Sequence, residues 1–413
     1  MKIFHIITGL GIGGAESALY NFLAHAVPGD AGINSACKRL CDAHCVAYFY
    51  DGPNRKKIEQ LGIKTYKITG LLHHYDPIAY MRLKSEIQKF KPDVIHTALW
   101  SSNIMGRFVG KRLKIPVISD QHGATSDEGR VRNLFDMYTA HMSAKIICVS
   151  DFVRENYNKT IIGAIKNKKK AAHVRANLVV IKNGIDVNAL RARAHATPLL
   201  RQELGFGQHD FIVGAVGRLQ VIKSYDILIL AFKKFLDSMS GTGALTHEQA
   251  SGACSVQAHD QKNIKLCLVG DGPERVKLEA LVAQLGLEKH VLFTGFRTDA
   301  YRFYSIFDCL AFSSQSEGLS IALLEGLAFG LPIITTHESA YHDVLIDGIN
   351  GFLVLVNNIE LFVCAFKKLY ENQELATKMR DANLQLAHKY SIDQVVEKYF
   401  DIYRDLDPRP RLG

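Results

Sequence analysis

Short apolar runs alternate with longer amphipathic stretches along this chain, and that alternation constrains its fold more than any other feature. After the first run, for example, apolar side chains recur at helical spacing between residues 15 and 26. Strands separated by helices of ten or more residues form βαβ units, which build a parallel sheet. The strand candidates of the first half are KIFHII (2–7), CVAYFY (45–50), KTYKI (64–68), DVIHT (93–97), PVISD (116–120), KIICV (145–149) and LVVIK (178–182).

The same pattern begins again after a polar stretch at 191–210. A chain of 413 residues exceeds the usual size of one hydrophobic core. We therefore predict an α/β protein with two Rossmann-like, doubly wound parallel-sheet domains, at 1–187 and 188–389. The amphipathic helix within 390–413 has no strand after it, and we expect it to pack back on the first domain. The strand candidates of the second half are FIVGAV, IKLCLV, VLF, DCLAF, PIITT and GFLV.

The composition is that of a globular protein, with 47% hydrophobic and 22% charged residues. No apolar run approaches the roughly 20 residues that span a bilayer, and the N-terminal segment has the pattern of a strand rather than of a secretory signal. Cys37, Cys41 and Cys45 lie near His44 but lack the paired spacing of zinc ligands. We expect buried free thiols in a reducing compartment, and hence a cytoplasmic location.

The net charge is +9, and basic residues cluster at 107–114 and 166–170. Two interpretations stay open. The clusters attract anionic lipid headgroups or a polyanionic acceptor, or they are solvated faces and a basic loop. No aromatic-interleaved basic motif or zinc finger is present in the sequence, so a nucleic-acid partner is not expected.

A glycine-rich loop follows the first strand. Gly9, Gly11 and Gly14 match G-x-G-x-x-G between a strand and a helix, which is the context of a dinucleotide-binding loop. An NAD(P)-dependent oxidoreductase is therefore the rival hypothesis, with Asp51 as the ribose ligand. Asp51 lies 37 residues after Gly14, however, where about 20 are expected. The loop is equally suited to the close approach of another molecule.

The first strand of the second half ends in Gly217-Arg218-Leu219, and Lys223 follows before a helix. A guanidinium and an ammonium aimed with a helix N-terminus at one place suit a diphosphate. Further on, Glu317 lies in a loop before a helix, and Glu325 lies within that helix. The loop amides would face an anion, and the two carboxylates could serve different parts of one long ligand. Because Glu325 lies among leucines, we expect it to have a polar partner.

Eight segments over nearly the whole chain together resemble glycosyltransferase family 4. This family has the GT-B two-domain fold and transfers sugars from nucleotide donors with retention of configuration. The segments are GLGIGGAE, KPDVIHT, DQHG (120–123), VIKNGID (180–186), GRLQVIK (217–223), LVGDGPER (268–275), VLFTGFR (291–297) and the Glu317-x7-Glu325 pair.

The resemblance implies a donor site in the second domain. Arg218 and Lys223 would neutralise the diphosphate of a UDP- or GDP-sugar, and Glu325 would bind the ribose hydroxyls. Glu317 would hold hydroxyls of the transferred sugar. The backbone groups near the base would be those of Gly295, Phe296 and Arg297, and those near the sugar and phosphates would be the amides of Gly318, Leu319 and Ser320.

The resemblance also implies a contribution from the first domain. His122 would reach the reacting sugar, and Gly13 and Gly14 would let this domain close over the phosphates. A loop histidine bonded to backbone is the alternative for His122. The chain also departs from the family pattern, with Ser224 after the lysine and Ser339-Ala340 in place of a glycine pair. The loops at 28–42, 160–176 and 239–262 look enlarged.

We therefore expect a retaining glycosyltransferase that acts on a polysaccharide, lipopolysaccharide or glycolipid acceptor and makes peripheral contact with an anionic membrane. Cations and helix amides would stabilise the leaving diphosphate in a site closed to water. No Asp-x-Asp metal motif occurs in the sequence where the diphosphate would lie, so neither a metal nor another cofactor is expected. A non-catalytic nucleotide-sugar binder is the second rival.

Overall fold

The computed structural model describes residues 1–27, 43–70, 76–124, 129–197, 201–239 and 263–407. Its internal contacts divide the chain into two compact units. The first unit comprises Met1–Asp186, Glu317–Ile321 and Tyr390–Gly413, and the second comprises Val187–Ser316 and Ala322–Lys389. The five-residue segment that begins at Glu317 thus belongs by its contacts to the first unit.

The first unit is built on a seven-stranded parallel sheet with the strand order β3-β2-β1-β4-β5-β6-β7. Its strands are β1 (Lys2–Gly9), β2 (Ala43–Tyr50), β3 (Lys64–Lys67), β4 (Val94–Ala98), β5 (Val117–Gln121), β6 (Lys145–Cys148) and β7 (Leu178–Val180). Its helices are α1 (Gly14–Ala26), α2 (Asn54–Gln60), α3 (Pro77–Phe90), α4 (Trp100–Leu113), α5 (Arg130–Thr139), α6 (Asp151–Tyr157), α7 (Lys168–Ala176) and, at the end of the chain, α14 (Ile392–Leu406).

Helix α14 packs on the first unit, as the sequence predicted. At the start of the helix, the Ser391 side chain accepts a hydrogen bond from the Asp393 amide at 3.3 Å. The apolar face of α14 is buried in the core that α1 and the sheet form. A Cβ on Gly184 would lie 2.7 Å from Val395 Cγ2 and 3.0 Å from Ile392 Cα. The glycine of VIKNGID therefore permits the close approach of this helix.

The second unit has a six-stranded parallel sheet with the order β10-β9-β8-β11-β12-β13. Its strands are β8 (Phe211–Val216), β9 (Ile264–Val269), β10 (Val291–Gly295), β11 (Cys309–Phe312), β12 (Ile333–Thr336) and β13 (Gly351–Val354). Its helices are α8 (Val187–Ala196), α9 (Tyr225–Met239), α10 (Arg275–Gln284), α11 (Ile321–Ala328), α12 (Ile359–Glu371) and α13 (Gln373–Ala387). Helices α9 and α12 cover one face of this sheet with buried phenylalanines.

These two parallel sheets confirm the predicted fold class of two Rossmann-like α/β domains. The loop predicted at 28–42 lies outside the described residues, as does the loop predicted at 239–262 except for Met239, which is the last residue of α9. Among the cysteines in the described ranges, Cys45, Cys148, Cys267 and Cys309 are buried free thiols as expected, whereas Cys364 on α12 is a free thiol that is exposed. None of the helices within the described ranges is long and apolar enough to cross a bilayer.

Two expectations about basic segments are wrong. Arg107 is fully buried, and its guanidinium forms an ion pair with Asp136, so it belongs to the core rather than to a charged surface. The stretch 160–176 is not an enlarged loop. It contains a π-helical turn that ends at Ile162 and then α7, where the Asn167 side chain accepts a hydrogen bond from the Lys170 amide at 3.0 Å.

Candidate active site

The loops after β8, β9 and β10 are bound together at the carboxyl edge of the second sheet. The Leu219 amide donates to the Asp271 carbonyl at 3.0 Å, and the Gly270 amide donates to the Gly295 carbonyl at 3.1 Å. A Cβ on Gly270, whose φ is +147°, would lie 1.9 Å from the Gly217 oxygen. Only glycine at 270 therefore allows the backbones to approach this closely. The GDG and GFR motifs thus position the loop that carries Arg218.

Arg218 is exposed on this loop, whereas Lys223 is partly buried in a short 3₁₀ turn after it. The Lys223 ammonium lies 4.0 Å from the position of a Cβ on Gly217, at the end of β8. Burial lowers the pKa of Lys223 to about 8, because desolvation disfavours the charged form. A nearby anion would stabilise the charged form of this partly desolvated ammonium.

The lysine turn is fixed to the loop after β11. The Ser313 hydroxyl donates to the Lys223 carbonyl at 2.8 Å, and the Gln315 side-chain amide donates to Ser224 Oγ at 3.0 Å. Ser224 adopts a left-handed conformation with φ +47°. This backbone angle explains why glycine suits the position, and the hydrogen bond from Gln315 compensates for the strain of a serine there.

Glu325 lies on α11 and has the polar partner that its position among leucines predicted. The buried Tyr304 hydroxyl donates to Glu325 Oε2 at 2.7 Å, and the Tyr304 ring stacks on Phe329 at 5.7 Å. Burial, followed by the nearby Glu325 carboxylate, raises the pKa of Tyr304 well above its ordinary value. Tyr304 therefore remains a donor and holds one oxygen of Glu325 in place. The sequence carried no motif that singled out this tyrosine.

At the end of β10, the charge of the Arg297 side chain is neutralised by a neighbouring carboxylate. Gly295 has φ +69°, and Phe296 is exposed. The Arg297 guanidinium makes two hydrogen bonds to Asp299, each of 2.8 Å, and lies over the Phe303 ring. The Arg297 side chain is thus engaged within its own loop.

In the first unit, the segment Glu317–Ile321 packs against the end of β5. A Cβ on Gly318 would lie 2.1 Å from the His122 carbonyl oxygen, so only glycine fits there. The Asn183 side chain donates to the Leu319 carbonyl at 2.6 Å. The structure thus places Gly318 against the backbone of His122, and Glu317, Leu319 and Ser320 are its neighbours in the same segment. Asn183 was not singled out from the sequence, although it belongs to the VIKNGID segment.

A buried polar network lies behind His122. The His96 Nε2–H donates to Asp120 Oδ2 at 2.9 Å, and the Tyr399 hydroxyl of α14 donates to the same oxygen at 2.9 Å. The Tyr403 hydroxyl donates to His96 Nδ1 at 2.6 Å. Asp120 and His122 both line a cavity of about 30 Å³. Burial lowers the pKa of His122, and the Asp120 carboxylate opposes that shift.

Helix α1, which follows the glycine-rich loop after β1, lines the same cavity with Ala15, Ala18 and Leu19. A Cβ on Gly13 would lie 2.4 Å from Glu16 Oε2, whereas Gly14 has open space around it. Asp51, the ribose ligand of the oxidoreductase hypothesis, accepts hydrogen bonds from the Gly52 amide at 2.8 Å and from Arg55 Nε at 2.9 Å. Its carboxylate is therefore committed to a local turn and ion pair.

Two family models match this chain. The model of glycosyl transferases group 1 matches residues 196–385, and that of glycosyltransferase family 4 matches residues 33–189. Together they span most of both units. These matches agree with the resemblance that the sequence motifs indicated.

Curated relatives and solved structures agree with the family models. UDP-Gal:alpha-D-GlcNAc-diphosphoundecaprenol alpha-1,3-galactosyltransferase of Escherichia coli is 21% identical over 329 residues, which cover 78% of this chain and 77% of the relative. Alpha-monoglucosyldiacylglycerol synthase of Acholeplasma laidlawii is 23% identical, over 79% of this chain and 78% of the relative. A crystal structure of Anabaena Alr3699/HepE in complex with UDP-glucose has a TM-score of 0.76 at 20% identity, over 98% of this chain and 100% of that chain. The chain belongs to the group 1 glycosyltransferases of family 4 and has their two-domain fold.

Proposed function

We propose that this glycosyltransferase moves a sugar from a UDP- or GDP-sugar to a polysaccharide, lipopolysaccharide or lipid-linked acceptor, with retention and without a metal ion. The observation that carries the donor assignment is the partly buried Lys223 ammonium at the end of β8, where three loops are bound together. Arg218 on the same loop supplies a second positive charge. A doubly charged diphosphate is the ligand that such a pair suits.

The remaining donor contacts follow from the second unit. Tyr304 holds the Glu325 carboxylate in place through Oε2, and we assign this carboxylate to the ribose hydroxyls. The backbone from Gly295 to Arg297 is assigned to the base. The Anabaena structure contains UDP-glucose, which supports a nucleotide-sugar donor for this fold.

The first prediction concerns the protonation of Lys223. Only the charged ammonium attracts the diphosphate, and its pKa in the unliganded protein is about 8. Below this pH the charged form dominates, and above it the charged fraction falls about tenfold per pH unit. The Kd for UDP should therefore rise between pH 8 and 9.5. Lys223→Arg, which stays charged, should flatten this rise, and the exposed Lys277→Arg should not. Calorimetric titration with UDP at each pH measures the Kd. A wild-type Kd that does not depend on pH would rule out diphosphate binding by Lys223.

Glu317 and its loop are assigned to the transferred sugar. The carboxylate precedes α11, and the amides of Gly318, Leu319 and Ser320 lie in the same loop, beside the His122 carbonyl. Sugar hydroxyls that bond a fixed carboxylate more strongly in the transition state lower the barrier to transfer. His122 is assigned to the reacting sugar.

We expect Glu317→Ala to reduce kcat by about 10² to 10³, because it removes a polar contact that strengthens in the transition state. Sugar transfer and donor hydrolysis are both measured, with the Kd for UDP as a second readout that should change little. Glu338→Ala, an exposed glutamate in a later loop of the second unit, is the matched control and should retain wild-type rates. Near-normal turnover of Glu317→Ala would refute the assignment.

Metal independence rests on the two cationic side chains. Arg218 and Lys223 are proposed to neutralise the charge that develops on the departing diphosphate, a task that a divalent ion performs in other enzymes. We expect transfer rates to be unchanged in EDTA. If EDTA abolishes transfer and magnesium or manganese restores it, the two cations do not suffice and the proposal is wrong.

Retention follows from where the acceptor proton goes. The acceptor oxygen attacks the anomeric carbon as the bond to the diphosphate breaks, and the departing phosphate oxygen takes the acceptor proton. Attack then comes from the leaving-group face and preserves the configuration. No Asp or Glu is assigned as a general base on the opposite face. An α-linked donor should yield an α-linked product in the NMR spectrum, and a β-linked product would overturn the mechanism but not the fold.

The acceptor is proposed to be met at the cytoplasmic side of a membrane. The Escherichia coli galactosyltransferase is named for a diphosphoundecaprenol-linked sugar and the Acholeplasma synthase for a glucosyldiacylglycerol, which supports a lipid-linked acceptor class. The buried free thiols are typical of a reducing compartment. Peripheral contact with anionic lipid would bring the enzyme to such an acceptor.

A further inference from the structure

Helix α5 presents an apolar face to solvent. Val131, Leu134 and Tyr138 are 63%, 47% and 68% exposed. Their spacing of three and four residues places them on one side of the helix. Asp136 and Thr139 on the other side are buried. A face of this kind normally packs against something.

The orientation of this face is set by buried contacts. The Asp136 carboxylate pairs with the buried Arg107 guanidinium of α4, which also donates to Thr139 Oγ1 at 3.1 Å. The Trp100 indole donates to the Arg132 carbonyl at 3.2 Å and packs edge-on against the Phe135 ring at 6.1 Å. Helix α5 is therefore anchored, and its apolar face is not a product of fraying.

Basic side chains flank the apolar face. Lys111, Arg112 and Lys114 are exposed at the end of α4, and 168–170 is an exposed run of three lysines at the start of α7. The two sets meet near His141 in the turn after α5. The pKa of His141 is lowered by partial burial first, and then by Lys170 and Lys111. Within α4, α5 and α7 the one acidic residue is Asp136, which is buried.

We propose that α5 and the basic ends of α4 and α7 form a membrane-docking surface. In this arrangement Val131, Leu134 and Tyr138 enter the boundary between headgroups and acyl chains of an anionic bilayer. The lysines and arginines contact lipid phosphates around them. This inference rests on the proposed lipid-linked acceptor and names the surface that reaches it.

Charge selects the lipid surface over a second copy of this chain. Two copies joined through this face would bring the lysines of α4 and α7 against one another, and like charges oppose association. An anionic bilayer supplies the complementary charge and an apolar layer together.

The only tryptophan of the chain, Trp100, lies directly under α5 and reports on this contact. We expect the protein to sediment with vesicles of phosphatidylcholine and 30% phosphatidylglycerol, and not with pure phosphatidylcholine. Vesicles that carry brominated acyl chains should quench the Trp100 fluorescence. Rising salt should weaken binding, because the headgroup contacts are screened.

Leu134→Glu should weaken vesicle binding at least tenfold and remove the quenching. Met81→Glu is the matched control, because Met81 is 60% exposed on α3 of the same unit and the change adds the same charge. It should bind and be quenched like the wild type. Both sites are exposed, so circular dichroism and Tm should show folded variants.

Equal binding by the Leu134→Glu and wild-type proteins, or quenching that persists in the variant, would overturn the inference. So would a wild-type dimer in solution that Leu134→Glu dissociates, because the face would then be a self-association surface. Transfer to a water-soluble saccharide should be equal in all three proteins. If the wild-type protein transfers sugar but does not bind vesicles, the docking surface is refuted and the proposed function stands. If none of the three proteins transfers sugar, the proposed function is refuted.

Discussion

Parallel pairing is the constraint on which the candidate site depends. Within each sheet every strand runs in the same direction, so the loops that leave the carboxyl ends of neighbouring strands meet at one edge. In the second unit this brings together the loops after β8, β9 and β10, which glycines at 217, 270 and 295 allow to bond to one another. The positive charge at Lys223 is thereby held on a rigid base rather than on a flexible tip.

The two assigned carboxylates depend on different supports. Glu325 is oriented by the hydroxyl of Tyr304, which is itself fixed by stacking on Phe329. Glu317 belongs to a loop whose carbonyl at Leu319 accepts from Asn183 and whose Gly318 lies against His122. If these carboxylates act as proposed, their supports hold them in place before charge develops on the sugar, which is the preorganisation that electrostatic stabilisation requires.

The C-terminal helix contributes polar as well as apolar contacts to the first unit. Tyr399 and Tyr403 reach His96 and Asp120 in the sheet, so the strand end that carries His122 rests on the last helix of the chain. Beside them, burial lowers the pKa of His5 and takes that of His44 to about 4. Both histidines are therefore neutral at physiological pH, as a buried layer requires.

The sequence by itself determined the strands, the parallel sheets and the motifs of the candidate site, because each rests on local periodicity or on a short glycine-rich turn. Tertiary structure alone decided which side chains support those motifs. Tyr304 and Asn183 are separated from their partners by 21 and 136 residues, and no local pattern encodes such pairings. The same reason explains Arg107. In the sequence it belongs to a basic cluster that is typical of a surface, but in the structure it is a core residue because Asp136 pairs with it. The apolar face of α5 also emerged only from packing, since periodicity shows that a helix has an apolar side but not whether the fold covers it.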